Sequence, residues 1–571
     1  MAIMAGWSPR DSTECDAERA MGRSMSQMSK LSNISKISRE LVIKVAQSSR
    51  SHISKELTVL LEPKLLRAVP LHVVLGSWGK QLTSQIDGTF EVSPHDYALS
   101  HATKYHDAFL SHDWQSSGWL KFLSLLIIFN SGPAFFISLT VSVTVGVLRA
   151  TALLPDEPWT VIFGHVSFFF VFAFWQRLRL LCAWPVLVFL DKLCVAQHDE
   201  ELKQKGILGI AAFLLSSRRL VVLASSSYFD RLWCTFEIAT FMKTTESQNR
   251  IHIMPLTTSL LLFVIAAAWR IIVIGNAIFK GQATLQQATL GTITISAMVL
   301  PGPFYLCMKL VKELEVFPQQ LEQFRIQDAK CFCCSHDHKH PVTGRTLPCD
   351  RRLVYKMLRQ WYDDGEGGTD GYLDSFNTLV RKVLRPKLAN GLGGCLPTTY
   401  VIYMITSAAL PYISDDIAKF AAVYTSGVGG YEVLVWSLRH ILESSLYAIM
   451  GLITVNVFVL LWQRSVRWQW ASTVGGRVGS AVVLVVIANA VLGLFWGSLR
   501  LPLAMTEQND IRPVFSFLFV LLVIVGLLAC CQRQGRMAAR EARGVPEETI
   551  GQPAHEEEGS YVENEEDIVS F

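Results

Sequence analysis

The chain has 571 residues, of which half are hydrophobic and only 18% are charged, and its formal net charge is +4. A soluble protein with a mean hydropathy of +0.31 would be unusual. The composition therefore argues against a purely soluble protein and predicts an α-helical, polytopic membrane protein whose partner is the lipid bilayer. We expect no nucleic-acid partner.

Residues 1–100 form a basic, Ser-rich N-terminal region that we expect to be partly disordered. The start of the chain lacks an apolar core of signal-peptide length, so the first true span is expected to act as the insertion signal. Further on, one helical face collects apolar side chains and predicts a segment lying on the anionic inner leaflet, at Ile34, Ile37, Leu41, Val42 and Val45. A flexible tail with an incidental amphipathic turn explains the same pattern.

Three short apolar segments predict buried strands of an α/β domain. The first is DAFLSHDW at 107–114, the second is PVLVFLD at 185–191, and the third is RRLVVLAS at 218–225. The motif WCTFE, which ends at Glu237, follows the third. In this order the segments resemble a TIR domain, the Toll and interleukin receptor homology fold. The resemblance implies a flavodoxin-like parallel sheet.

The spacing of these segments departs from a compact TIR domain. Such a domain has only a few dozen residues between its first two strands, whereas Trp114 and Pro185 are about 70 residues apart. The excess is strongly hydrophobic and predicts a membrane hairpin at 131–183. We therefore expect the two parts of the domain to lie at 104–130 and 184–256.

The resemblance also implies a site for NAD as a substrate. Many TIR domains cleave NAD at its nicotinamide ribosyl bond, and the glutamate of WCxxE is catalytic in them, which assigns that role to Glu237. Cleavage needs a carboxylate that holds the ribose hydroxyls and stabilises an oxocarbenium-like centre. The expected cofactor-binding residues line the pocket beside this carboxylate and are Phe109, Ser111, His112, Asp191 and Trp233.

TIR domains that act only as adaptors contain the same motif. In them the Trp and Cys of the motif pack in the core, and the glutamate makes a structural hydrogen bond or ion pair. For Glu237 the partner would be Arg231 or Lys243. In this alternative the domain works through self-association, without turnover.

Further apolar segments predict about eight spans in all. A second hairpin is expected at 257–311, and the remaining spans lie within 393–531. The individual segments are 259–278, 290–311, 395–412, 441–462, 480–499 and 514–531. The apolar, Gly-rich segment at 420–436 is either a re-entrant piece or an extracytoplasmic loop.

The distribution of basic residues predicts the orientation. Lys and Arg accumulate on the cytoplasmic side of short loops, and in this chain they cluster at 177–179, 309–312, 381–387, 464–467 and 533–543. All of these flanks share one side if the spans pair as hairpins. Both termini, the α/β domain and the loop at 312–392 are therefore expected in the cytoplasm, without an indication of which membrane is crossed. The tail at 532–571 is basic, then acidic, and is expected to be disordered.

The loop at 312–392 contains a Cys- and His-rich module. Seven candidate metal ligands fall within a short stretch and are Cys331, Cys333, Cys334, His336, His338, His340 and Cys349. Thiolate and imidazole are the ligands that zinc prefers, so a structural zinc is one interpretation. Reduced thiols and exposed histidines are the alternative, and disulfides are not expected on the reducing side of the membrane.

A helix is predicted directly after this cluster. Apolar side chains recur at helical spacing at Leu353, Val354, Met357, Leu358 and Trp361. The pattern fits a helix that docks on the α/β domain. It fits an amphipathic helix at the membrane surface equally well.

Taken together, these features predict a membrane-anchored signalling protein that acts through TIR-type self-association or NAD cleavage. A channel or transporter with the α/β domain as its regulatory module is the alternative, because about eight spans are more than an anchor requires. Charges inside spans usually mark a permeation path. Arg270 and Glu443 are the candidates for such charges.

Overall fold

The computed structural model describes residues 62–83, 93–243, 249–280, 285–314, 316–339, 344, 346, 349–363, 370–389, 398–466, 473–506, 510–523 and 526. The predicted inner-leaflet segment around Ile34 lies outside these ranges, as does the predicted acidic tail. The described chain consists of one mixed sheet and a large set of helices, most of them apolar.

The sheet has six strands in the order β2-β1-β4-β3-β5-β6. Their bounds are β1 Arg67–Pro70, β2 His101–Ala102, β3 Ala108–His112, β4 Leu187–Phe189, β5 Leu220–Ala224 and β6 Ile251–Pro255. The four strands β4, β3, β5 and β6 are parallel, and β1 runs antiparallel to both β4 and β2. Every residue of β3 and β5 is buried, as expected for parallel strands that are covered on both faces.

The three predicted strands are present, but the sheet that contains them is mixed and not purely parallel, because β1 is antiparallel to its neighbours. Phe109 of β3 pairs with Phe189 of β4 on one side and with Leu220 of β5 on the other. The three segments recognised in the sequence are therefore adjacent, parallel members of one sheet, although a long apolar insertion separates the first two along the chain.

The insertion between β3 and β4 is a pair of helices, α1 (Gly118–Ala150) and α2 (Ile162–Leu181). Buried polar contacts join them: the Asn130 amide donates to the carbonyl of Phe172 at 2.8 Å, and the Gln176 amide donates to Asn130 Oδ1 at 2.8 Å. In an apolar bundle such bonds satisfy polar groups that have no water nearby. They hold the two helices in register.

The first part of α1 packs on the sheet, and only the later part belongs to the hairpin. The helix begins six residues after the end of β3, at the carboxyl edge of the sheet, and its first turns are buried through Phe122, Leu125 and Phe129. The Arg219 guanidinium, which precedes β5 at the amino edge, lies 4.6 Å from the centre of the Phe129 ring. The helix therefore runs from the carboxyl edge to the amino edge, and the hairpin leaves the sheet on the amino side.

The longer helices of the remaining chain follow β5 and β6, and the shorter ones occur both before and after these strands. The longer ones are α3 (Leu232–Met242), α4 (Leu256–Lys280), α5 (Leu285–Val299), α6 (Pro301–Leu314), α7 (Asp350–Tyr362), α8 (Gly371–Ala389), α9 (Ile413–Thr425), α10 (Gly430–Val466) and α11 (Val474–Ala504). Shorter helices are Leu71–Val74, Pro94–Ala98, Asp191–Cys194, Glu200–Leu208, Ile210–Leu215, Val316–Glu322, Phe332–Ser335 and Thr398–Val401. A segment of π-helix covers Ile402–Thr406.

Five described helices are long and apolar enough to cross a membrane, or six if a pair bent by 47° counts as one span. The five are Gly118–Ala150, Trp159–Leu181, Leu256–Ile278, Gly430–Gln463 and Val474–Val491, and the bent pair is Leu290–Val299 with Pro301–Glu322. The chain is thus a helical protein of the polytopic membrane class by length and composition. The predicted number of about eight spans stays a prediction.

Two predicted spans differ from the helices that are described. The segment predicted at 395–412 is broken into Thr398–Val401, the π-helix and a 3₁₀ turn at Leu410–Tyr412. Pro411 explains the second break, because proline lacks the N–H that an α-helix needs. The span predicted at 514–531 is described only in part, as an apolar helix at Arg512–Val523. The segment at 420–436 contains the end of α9, a turn and the start of α10.

The close packing of helices in the bundle can be tested at one glycine, Gly164. A Cβ at Gly164 of α2 would lie 2.6 Å from Ser142 Oγ and 3.0 Å from Pro411 Cα, whereas a Cβ at Gly302 of α6 meets nothing within 4 Å. We expect Gly164→Ala to lower the free energy of unfolding by about 1–2 kcal/mol through overpacking. Thermal unfolding in lipid nanodiscs measures this, with Gly302→Ala as the control that is expected to be neutral or slightly stabilising. Equal melting temperatures for the two variants would contradict the packing.

Candidate functional site

The carboxyl edge of the sheet carries the residue that the motif singled out. Helix α3 starts beyond β5 at this edge and places Glu237 next to β3, where the Ser111 hydroxyl donates a hydrogen bond to Glu237 Oε2. Ser111 is also hydrogen-bonded to the Tyr228 hydroxyl. Ser111 and Tyr228 are buried, whereas Glu237 is half-buried. The carboxyl group itself is desolvated, so it is another part of the residue that reaches the surface.

Burial raises the pKa of Glu237 to about 8, with the hydrogen bond from Ser111 lowering the pKa and the charge of Asp191 raising it. A carboxyl group with this pKa is largely protonated at neutral pH. Perturbed pKa values of this kind cluster at functional sites, although structural networks produce them as well.

A second carboxylate follows β4. Trp114 Nε1 donates to Asp191 Oδ2 at 2.7 Å, and the backbone N–H of Lys192 donates to Asp191 Oδ1 at 2.8 Å. Burial raises the pKa of Asp191, while these two hydrogen bonds and the charge of Lys121 lower it. Asp191 thus belongs to the same electrostatic cluster as Glu237.

Lys121 is the basic member of this cluster, and nothing in the sequence pattern pointed to it. Its side chain is fully buried in the first turn of α1, its Nζ donates to the carbonyl of Leu82 at 3.3 Å, and it lies 5.2 Å from the centre of the Trp114 ring. Asp113 and Asp191 are the carboxylates whose charges act on it. These carboxylates offset the cost of burying the lysine, since an unpaired buried charge is unfavourable.

Asp113 fixes the loop that follows β5. Its Oδ2 accepts hydrogen bonds from Ser227 Oγ at 2.6 Å and from Ser225 Oγ at 3.2 Å, and its Oδ1 lies 3.6 Å from Arg231 Nε. Arg231, one of the two candidate ion-pair partners of Glu237, is therefore paired with Asp113. The other, Lys243, lies 5.4 Å from the centre of the Trp361 ring. Among the described residues, Ser111 is the hydrogen-bond partner of the Glu237 carboxyl group.

Of the other predicted pocket residues, His112 lies beside the charged cluster, whereas Phe109 and Trp233 do not line it. His112 lies at the end of β3 against Trp114, with ring centres 4.3 Å apart, and burial holds its pKa well below the usual value. Phe109 is 1% exposed and stacks on Phe189 at 4.4 Å, so the structure places it in the core and not in a pocket wall. Trp233 points away from the cluster, and its Nε1 donates to Asp350 Oδ2 at 3.2 Å.

Most of the predicted metal ligands converge. Sulfur atoms of Cys331, Cys333 and Cys334 lie within 4.8 Å of one another, and so do ligand atoms of Cys334, His338 and Cys349. His336 is exposed, its ring centre lies 4.4 Å from that of Phe332 and its Nδ1 bonds the carbonyl of Phe332, so it does not join either group. His340 lies outside the described residues. Cys331 and Cys334 also form a C-x-x-C pair, a signal for metal binding that was present in the sequence.

The Cys- and His-rich module packs directly on α3. The N–H of Leu232 donates to the carbonyl of Lys330 at 3.1 Å, immediately before Cys331. Helix α7 follows Cys349 and covers α3: the rings of Trp361 and Phe236 stack at 5.7 Å, and the Tyr362 hydroxyl donates to the carbonyl of Ala239 at 2.7 Å. Of the two interpretations of this helix, the contacts favour docking on the α/β domain.

No protein-family model, curated protein or solved structure matches the chain.

Proposed function

We propose that this chain is a membrane-anchored signalling protein whose α/β domain is TIR-like and cleaves NAD between nicotinamide and ribose. The observation that carries the proposal is the contact between Glu237 and Ser111 at the carboxyl edge of the parallel sheet. Open α/β sheets bind their ligands at this edge. The order of DAFLSH, LVFLD and WCxxE along the chain supports the same assignment.

The reaction requires little more than a carboxylate and water. Nicotinamide departs with the electron pair of the C–N bond, which leaves positive charge on the ribose carbon. Glu237, once ionised, accepts hydrogen bonds from the ribose hydroxyls and stabilises that charge, as carboxylates do in glycoside cleavage. Water then adds to the carbon and loses a proton, giving nicotinamide, ADP-ribose and one proton.

The direction of α1 supports access from water. The apolar hairpin leaves the sheet at the amino edge, so a bilayer around the hairpin lies on the side opposite Glu237. Under the positive-inside rule, the basic flanks support a cytoplasmic position for both termini, the α/β domain and the Cys- and His-rich module. In this proposal, NAD reaches Glu237 from the aqueous phase of the cytoplasm.

The pH dependence of turnover tests the proposal. The full-length protein in lipid nanodiscs is incubated with NAD, and nicotinamide and ADP-ribose are quantified by chromatography. Because the ionised carboxylate is the active form and its pKa is raised to about 8, we expect kcat/KM to rise with pH and to level off above about 8. Equimolar products are expected at each pH.

The opposite outcomes identify the alternatives. Protein that releases no nicotinamide at any pH, even when clustered at high density, would favour an adaptor that acts through self-association. Ion or solute flux in liposomes would instead favour the channel or transporter. Against transport, the buried Arg270 guanidinium donates to Ser407 Oγ at 2.7 Å and contacts His165 Nδ1 at 3.1 Å, which ties α4 to its neighbouring helices.

A further inference from the structure

The thiol groups of the Cys- and His-rich module have the spacing of metal ligands. Cys334 Sγ lies 3.9 Å from Cys333 Sγ and 3.9 Å from Cys349 Sγ. Two thiolates on one tetrahedral zinc ion are about 3.8 Å apart, as a Zn–S bond of about 2.3 Å requires. The contact between Cys334 and Cys349 joins positions fifteen residues apart along the chain, so the fold brings separate thiols to this distance.

The surrounding polar groups also suit a metal ion. The backbone N–H of Asp350 points at Cys333 Sγ, 3.3 Å away, and N–H groups directed at sulfur stabilise a bound thiolate. His338 uses Nδ1 for a contact of 3.3 Å with the carbonyl of Cys333, which leaves Nε2 for a metal. An imidazole oriented through one ring nitrogen and ligating through the other is the usual arrangement.

We propose that Cys334, His338 and Cys349 hold a structural zinc ion together with one thiolate from the pair Cys331 and Cys333. The pair supplies one ligand because its sulfur atoms are 3.1 Å apart, closer than two ligands of one tetrahedral zinc. Three thiolates and one imidazole close the coordination shell. The site is therefore structural and has no open position for catalysis.

The position of the cluster gives this zinc a mechanical role. Lys330, directly before Cys331, and Asp350, directly after Cys349, are the residues that bond the first turn of α3, through Leu232 and Trp233. Closing the loop between them reduces the conformational entropy lost when both contacts form. The zinc site thus clamps the start of the helix that carries Glu237, and it is independent of whether Glu237 turns over NAD.

Metal content is the direct test. Full-length protein purified with Zn(II) present is dialysed, and zinc is measured by elemental analysis, with one zinc per chain expected. Replacement by Co(II) should give the thiolate charge-transfer and ligand-field absorption of a tetrahedral site. Less than half a metal ion per chain, or a cobalt spectrum without tetrahedral bands, would overturn the proposal.

Two neighbouring histidines provide the matched control. His338→Ala should reduce the zinc content at least twofold and abolish the tetrahedral cobalt spectrum, whereas His336→Ala should leave both unchanged. Cys334→Ser and Cys349→Ser should behave like His338→Ala. Zinc content that falls equally in both histidine variants would refute the assignment. If a variant fails to accumulate, the cobalt spectrum of the wild-type protein still decides.

A separate readout distinguishes this inference from the proposed function. Chelation of zinc should increase hydrogen exchange of the α3 amides, beginning at Leu232, in wild type and in Glu237→Gln alike. Exchange that stays unchanged on metal removal would exclude the clamp. Nicotinamide release does not enter this measurement, so a protein without NAD turnover can still contain the zinc site.

Discussion

Replacement of Glu237 by Gln is expected to lower kcat/KM for nicotinamide release at least about 100-fold. The amide keeps the size of the side chain, and its oxygen can still accept the hydrogen bond from Ser111. It cannot become negative, so the charge that develops on the ribose loses its counter-charge. Chromatographic assay of nicotinamide measures the loss, and an unchanged melting temperature shows that the fold is kept.

Two further variants sharpen this test. Glu201→Gln is the control, since Glu201 is exposed and pairs with Lys205 at 2.7 Å on the surface of a short helix; its turnover should equal that of wild type. Ser111→Ala removes the hydrogen bond that lowers the pKa of Glu237, so its pH profile should move to higher pH. Turnover that persists in Glu237→Gln would eliminate the carboxylate mechanism.

Replacement of Lys121 by Met is expected to destabilise the α/β domain by about 3 kcal/mol. The methionine fills similar space, but the change removes a buried positive charge that acts on Asp113 and Asp191. Uncompensated buried charges are costly because the interior solvates them poorly. Chemical unfolding in detergent, followed by Trp fluorescence, measures the effect.

The double variant Lys121→Met with Asp191→Asn tests whether an uncompensated carboxylate causes the loss of stability. An asparagine at this position can still accept the hydrogen bond from Trp114 and carries no charge, so it should recover part of the stability lost in Lys121→Met. Lys80→Met, at an exposed lysine, is the control and should be close to neutral. A loss in Lys121→Met no larger than the control would contradict the buried charge cluster.

The strands of the α/β domain were predictable because each is a short, continuous apolar run bounded by polar residues. Runs such as LVVLA at 220–224 suit a strand covered on both faces. The helix at 350–362 was equally visible, since Val354 and Leu358 recur at helical spacing and are both fully buried. Local periodicity was therefore sufficient for elements whose buried face is continuous.

Contacts between distant parts of the chain were not predictable in the same way. Ser111 meets Glu237 across 126 positions and Tyr228 across 117, and neither Tyr228 nor Lys121 has a local pattern that marks it. Phe109 was misplaced for a related reason: it lies two residues before Ser111 and so on the same face of β3, and only the stacking on Phe189 shows that its ring belongs to the core. The broken segment at 398–412 likewise depends on packing that hydropathy does not contain.

Helix α1 connects the hairpin and the carboxylate cluster in a single element. Its 33 residues span about 50 Å, with Lys121 near one end, and Pro133 lies where the half packed on the sheet passes into the hairpin. Because proline lacks the N–H that would bond the preceding turn, the helix has one backbone hydrogen bond fewer at this point than on either side. The part of the helix packed on the sheet and the part in the hairpin therefore meet at its locally weakest turn.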